Sequence, residues 1–157
     1  MTQATPVLVG IKHLEQRQSD PKVAQEPIQL MIEAVKGAAR DAGSEELLKA
    51  NSVRVSKGIW PYQNPGKAIA EAIGCPHAES VISSFGGNFV QTLVNQSALD
   101  IQNGLHDIII ITGAECGYTA AKAAKRKVKA KPKAPVGKAS SVVNADDGDD
   151  GADDRES

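Results

Sequence analysis

The sequence predicts an α/β domain with a mostly parallel sheet and helices on both faces, followed by a disordered, charged C-terminal tail. Three observations carry this. Strand-length runs of apolar or alternating residues recur at 7–13, 52–56, 79–85 and 107–115. Between them lie stretches with apolar residues at helical spacing, bounded by Pro, Asn or Gly. The last run, DIIIITGAE, has an apolar centre without polar alternation, as expected where helices cover both faces of a parallel sheet.

Taken in order, VLVGIKH (7–13) is a short apolar run suited to a buried strand. A polar stretch interrupted by Pro21 follows. PIQLMIEAVKGAARDAG then predicts a helix. Pro27 suits its first turn, and Ile28, Met31, Ala34, Val35, Ala38 and Ala42 form one face. Gly43 suits its C-terminal cap. SVRVS (52–56) alternates and is β-branched, which predicts the second strand. After the loop KGIWPYQNPG, Asn64 before Pro65 signals a short helix that Gly74 ends. Trp60 and Tyr62 in that loop are expected to anchor it. ESVISSF (79–85) is the third strand. Beyond the corner Gly86-Gly87-Asn88, the residues Val90, Leu93, Val94, Ser97, Ala98 and Ile101 fall on one helical stripe. Asn88 followed by Gln91 resembles a capping box. Gly104 closes this helix before the fourth strand at 107–115. A strand-helix repeat of this kind implies right-handed connections and ligands bound beyond the carboxyl ends of the strands.

The bulk composition narrows the function classes. With 157 residues the chain has the size of one domain, and with 3% aromatic residues its core must be aliphatic. A net charge of -1 gives no overall steer toward nucleic acid or membrane. No apolar run approaches the roughly 20 residues of a membrane span, and no signal peptide is read at the N-terminus. Cys75 and Cys116 form no CxxC pair, which points to a reduced, cytoplasmic setting. His13, His77 and His106 are scattered, so no metal site is expected. There is no GxxxxGKS/T and no GxGxxG, so neither a P-loop nor a dinucleotide site is read.

The residues from 121 onward change character. Residues 122–138 hold eight basic residues and no acidic ones, and residues 146–157 hold seven acidic residues and one basic one. Valines are their only sizeable apolar side chains, too few to offset the entropy of ordering. The basic run lacks interleaved aromatics, and the acidic run can neutralise it, which argues against nucleic-acid binding. The expected division is therefore a domain over 1–120 and a tail over 121–157.

The corner at Gly86-Gly87-Asn88 lies where a strand passes into a helix, and helix N-termini attract anions and developing negative charge. Two readings stand side by side. The glycines make a tight turn that Asn88 caps, or the N–H groups around Gly87 and Asn88, with the Asn88 carboxamide, hold an oxyanion or a thioester carbonyl.

The segment GGNFVQTLVNQSALDIQNGLHDIIIITGAE resembles the thiolase superfamily. In that family a strand leads to a nucleophile at the start of a buried helix. The helix ends in a pattern like AIQAG, and the next strand ends in GGAE. The counterparts here are Asp100-Ile101-Gln102-Asn103-Gly104 and Thr112-Gly113-Ala114-Glu115. PVLVGIKH, EPIQLMIEAVKGAARDAG and SVRVS look like the first part of a thiolase-like acetyl-CoA acetyltransferase, so that about three quarters of the chain, roughly residues 5–118, is covered. The resemblance implies the N-terminal half of a thiolase-like fold, an acyl-CoA substrate and no resident cofactor. It also implies a homo-oligomer or a thiolase-like partner subunit.

The sequence departs from the family at the nucleophile. Counted back from Gly104, the family's cysteine falls on Gly87, or on Gly86 if one residue is missing. The family's histidine and second cysteine come from a C-terminal half that this sequence does not contain. Truncation or a frameshift near Lys129 is the expected cause, with a natural short member as the alternative. No catalytic residue is therefore assigned; Gly86, Gly87 and Asn88 are the candidate oxyanion- or substrate-binding residues. The expected function is that of a thiolase-like acyltransferase family member, incomplete or inactive as a single chain. The alternatives are a non-catalytic interaction module and a thiolase-like aldolase or lyase subunit that needs a partner.

Overall fold

The computed structural model describes residues 3–18, 20–125 and 141–143. Strands β1 (Ser52–Lys57), β2 (Glu79–Phe85), β3 (Ile109–Thr112) and β4 (Ser141–Val143) form one sheet in the order β3-β1-β2-β4, and every pairing in it is parallel. Ser52 stands level with Glu79 and with Ile109. Helices α1 (Pro27–Asp41) and α2 (Pro65–Ile73) precede β1 and β2, α3 (Phe89–Gln102) joins β2 to β3, and α4 (Gly117–Lys125) follows β3. The fold is therefore α/β, with a parallel sheet between helices.

Local chemistry explains the helix limits. Pro27 opens α1, and Glu26 and Gln29 bond each other's backbone N–H in a capping box. The Asn64 side chain accepts the Lys67 N–H at 3.2 Å to start α2. Gly43, Gly74 and Gly104 follow the three helices at φ 75°, 89° and 72°, conformations that favour glycine. Asn51 joins the strand starts: its N–H donates to the Ile108 carbonyl, its carbonyl accepts the Glu79 N–H, and its Oδ1 accepts the N–H groups of Asp107 and Ile108.

The two faces of the sheet differ. Against α1 and α2, Met31, Val53, Val55, Tyr62 and Ile69 are fully buried, with Ile28, Val35 and Trp60 around them. Burying each such side chain contributes about 1.5–3 kcal/mol. Against α3 the apolar core is thin, consisting of Val81 and Leu93 with Ile111 beside them. Beside it lies the buried cation Arg54. Its guanidinium donates to the Asp100 carboxylate, to Ser97 Oγ at 3.1 Å and to Ser52 Oγ at 3.2 Å, and it lies 3.8 Å from Glu79 Oε2.

Three sequence expectations are corrected. Residues 7–13 do not form a strand of the sheet. They run as an extended arm with Val7, Leu8, Val9 and Ile11 at 69, 83, 56 and 65% exposure. The arm is held by α1 instead: Gly10 presses on it so closely that a Cβ would stand 2.2 Å from the Ala38 carbonyl oxygen, and the Ile11 N–H donates to the Asp41 carboxylate. An apolar run becomes a strand only when a partner strand is in reach. The α3 stripe is not wholly inward either. Leu93 and Ser97 are buried, but Val90 and Val94 are 47% and 43% exposed, because only one side of α3 meets the sheet. Asn88 does not cap α3, as described below. Of residues 121–157, 121–125 lie in α4 and 141–143 in β4. The remainder of 121–157 lies outside the described residues. No described helix is long and apolar enough to cross a membrane.

Candidate functional site at the strand–helix corner

The corner is built from the carboxyl end of β2. Ser83 there is buried; its Oγ accepts the Lys57 N–H at 2.9 Å and donates to the Ser84 carbonyl at 2.9 Å, tying β1 to β2 where their register shifts. The chain then leaves the sheet through exposed Phe85 and turns at Gly86. Gly86 has φ 154°, and a side chain at this position would press within 3.0 Å of Asn88 Oδ1 and of the Phe89 ring. Phe89, 7% exposed, is the side chain that roots the start of α3. Gly87 is different: it has no positive φ, and a Cβ there meets nothing within 4 Å.

Asn88 already has helical backbone angles, φ -77° and ψ -17°. An N-cap needs extended backbone to aim its side chain at the following N–H groups, so no capping bond forms. Gln91, expected to reach back, instead donates to Asn95 Oδ1 at 2.8 Å. Two backbone bonds close the first turn, from Phe89 N–H to the Gly86 carbonyl at 3.3 Å and from Thr92 N–H to the Asn88 carbonyl at 3.4 Å. The structure thus brings Gly86, Gly87 and Asn88 together at the positive end of the α3 dipole, with the Asn88 side chain exposed.

The loops after β1 and β3 are stitched to each other at the same carboxyl end of the sheet. Trp60 Nε1 donates to the Ala114 carbonyl at 3.0 Å, and Glu115 Oε1 accepts the Ile59 N–H at 2.6 Å. Lys57 Nζ lies 4.5 Å from the centre of the Trp60 ring and donates to the Trp60 carbonyl at 3.3 Å. Tyr62 packs 5.1 Å from Trp60 and donates to Glu26 Oε2 at 3.3 Å. Burial, and then the Glu26 carboxylate, push its phenol up to about 12.

Neither sulfur serves the corner. Cys75 follows α2 at the amino end of the strands, just before β2 begins, and burial pushes its thiol up. Cys116 begins the turn into α4, and its Sγ approaches the Gln25 carbonyl at 3.5 Å beside α1. Burial first, and then the Glu115 and Glu26 carboxylates, push this thiol up as well. His13 and His77 are exposed, and His106 Nε2 stands 3.2 Å from Glu79 Oε2 at the far edge. Among the described residues no group of His, Cys, Asp or Glu is placed to hold a metal ion. Among the described residues, no cysteine, histidine or carboxylate hydrogen-bonds to Gly86, Gly87 or Asn88, and the corner offers the backbone N–H groups at the start of α3.

Sequence reasoning missed the Arg54–Asp100 cluster and the Glu26–Tyr62 bond. The signal for the first was an arginine flanked by two valines in the middle of a predicted strand. Compared with known proteins, the chain matches no family model, no curated protein and no solved structure.

Proposed function

We propose that this chain is a thiolase-like protein that handles acyl thioesters without attaching them covalently. The observation that carries the reading is Gly87. It sits at the amino end of α3, where the resemblance puts a thiolate, and it presents open space. Claisen-type acyl transfer needs an attacking thiolate, a base, and donors for the developing oxyanion. The corner supplies the donors alone. The role this supports is binding acyl-CoA, with chemistry, where it occurs, completed by a thiolase-like partner subunit. A second reading, a non-catalytic interaction module, is favoured by the exposed Phe85, Val90 and Val94.

Isothermal titration with acetyl-CoA, followed by intact-mass analysis, tests the proposal. Saturable heat with an unchanged protein mass is the expected result. Absence of heat leaves the interaction module standing in its place. An acetyl group carried by the protein refutes the non-covalent role.

A further inference from the structure

Helix α3 is held to the sheet differently from α1. The large side chains that α1 buries are all apolar, Ile28, Leu30, Met31 and Val35. The inner stripe of α3 turns from apolar to polar along its length, from Phe89 and Leu93 to Ser97 and Asp100. We propose that α3 is a hinged element that swings off the sheet as one unit while the rest of the fold stays closed, with Arg54 as its latch. The proposal does not depend on the acyl-thioester reading.

The latch follows from the hydrogen bonds. Arg54 stands buried on β1. Its Nε donates to Ser52 of the same strand, but its Nη1 and Nη2 donate to Ser97 and Asp100 of α3. When α3 leaves, water takes over those bonds and solvates the guanidinium and the carboxylate, so parting them costs little. Apolar surfaces gain no such compensation, and α1 stays in place. In the closed form the balance is reversed. Arg54 deprived of Asp100 is a buried charge short of its partner, so removing that carboxylate weakens closure.

The ends of α3 permit the motion. Gly86 before it and Gly104 after it stand at φ 154° and 72°, and both can absorb the backbone rotation of a hinge. The amino end has no side-chain cap, and its first-turn backbone bonds are long, at 3.3 and 3.4 Å. The neighbouring strands are fastened without α3. Ser83 Oγ accepts the Lys57 N–H and ties the end of β2 to β1. Asn51 Oδ1 accepts the Asp107 and Ile108 N–H groups and ties down the approach to β3. Opening therefore carries Gly87 and Asn88 away from the strand ends and bares Val81 and Ile111 of the sheet. An element with few buried apolar contacts belongs to the low-stability end of a fold, and it opens before the rest.

Native-state hydrogen exchange on the full chain, where reclosing outpaces exchange, tests this. Corrected for intrinsic rates, amides at 93–102 are expected to exchange faster than those at 31–41 by roughly tenfold or more. Asp100→Asn keeps the shape of the side chain and removes its charge. It is expected to speed exchange at 93–102 by roughly tenfold or more. Val35→Ala thins the core beneath α1, which stays packed when α3 opens. It is expected to speed exchange at 31–41 and to leave 93–102 unchanged. The proposal is overturned by equal protection of the two segments in the wild type, by an Asp100→Asn rate at 93–102 no faster than the wild type's, or by Val35→Ala speeding both segments alike. The first and third comparisons leave the latch intact, so they decide the matter even if Asp100→Asn does not fold.

Discussion

Replacing Gly87 by Cys places a sulfur at the amino end of α3, and the structure sets what should follow. A Cβ at this position meets nothing within 4 Å, and the backbone there has no positive φ. The substitution removes freedom from the unfolded chain, so Gly87→Cys should be neutral or stabilising by up to about 1 kcal/mol. Gly86→Cys should cost about 1–3 kcal/mol, because φ is 154° and the new side chain would crowd Asn88 and Phe89 at 3.0 Å. At position 87 the helix dipole favours a thiolate by about 0.3–1 kcal/mol. At 1.4 kcal/mol per tenfold, that raises the thiolate fraction by roughly two- to fivefold. Cys75 and Cys116 are pushed the other way by burial and hold less thiolate at neutral pH. Timed iodoacetamide labelling with peptide mapping should therefore find the new thiol modified first. Its rate should exceed that of the same cysteine in urea-unfolded protein at the same pH by the factor above. A folded rate no higher than the unfolded one, or equal stability of the two variants, would refute this account of the corner.

Two further outcomes are expected. Asp100→Ala leaves the Arg54 guanidinium buried with Glu79 3.8 Å away as its remaining carboxylate neighbour. Breaking a buried pair costs about 3–5 kcal/mol, and the partial exposure of Asp100 reduces this to about 2–3 kcal/mol in urea denaturation. The double variant Arg54→Met with Asp100→Leu should recover most of that loss, since an apolar pair leaves no stranded charge. For Tyr62, folding favours the protonated phenol, whose pKa is raised from 10.0 to about 12. Its contribution is therefore complete below pH 10 and lost as pH rises toward 12. Urea midpoints measured across that window should fall for the wild type and fall less for Tyr62→Phe.

Much of the architecture was legible because its signals are local. The helix starts at Pro27 and Asn64 and the glycines after α1, α2 and α3 act within a few residues of themselves, and each appears where it was read. The strand runs of β1, β2 and β3 were likewise visible in their composition. Gly86, Gly87 and Asn88 were legible as one corner, but the geometry of that corner was not. Whether Asn88 caps depends on backbone angles that the rooted Phe89 and the Gly86 turn impose together. The valines at 90 and 94 satisfy helical spacing whether or not anything covers them, so periodicity assigned them to a core that is not beside them.

The sequence by itself determined the α/β alternation, the starts of α1 and α2, the glycines that end α1, α2 and α3, and the lack of a side chain at position 87, because each is set by neighbours along the chain. Only the tertiary structure decided that residues 7–13 lie on α1 rather than in the sheet, and that Arg54 meets Asp100 beneath α3. It also set each sulfur away from the amino end of that helix. These are contacts between segments distant in sequence, and they form only where burial and hydrogen bonding offset the entropy of bringing such segments together.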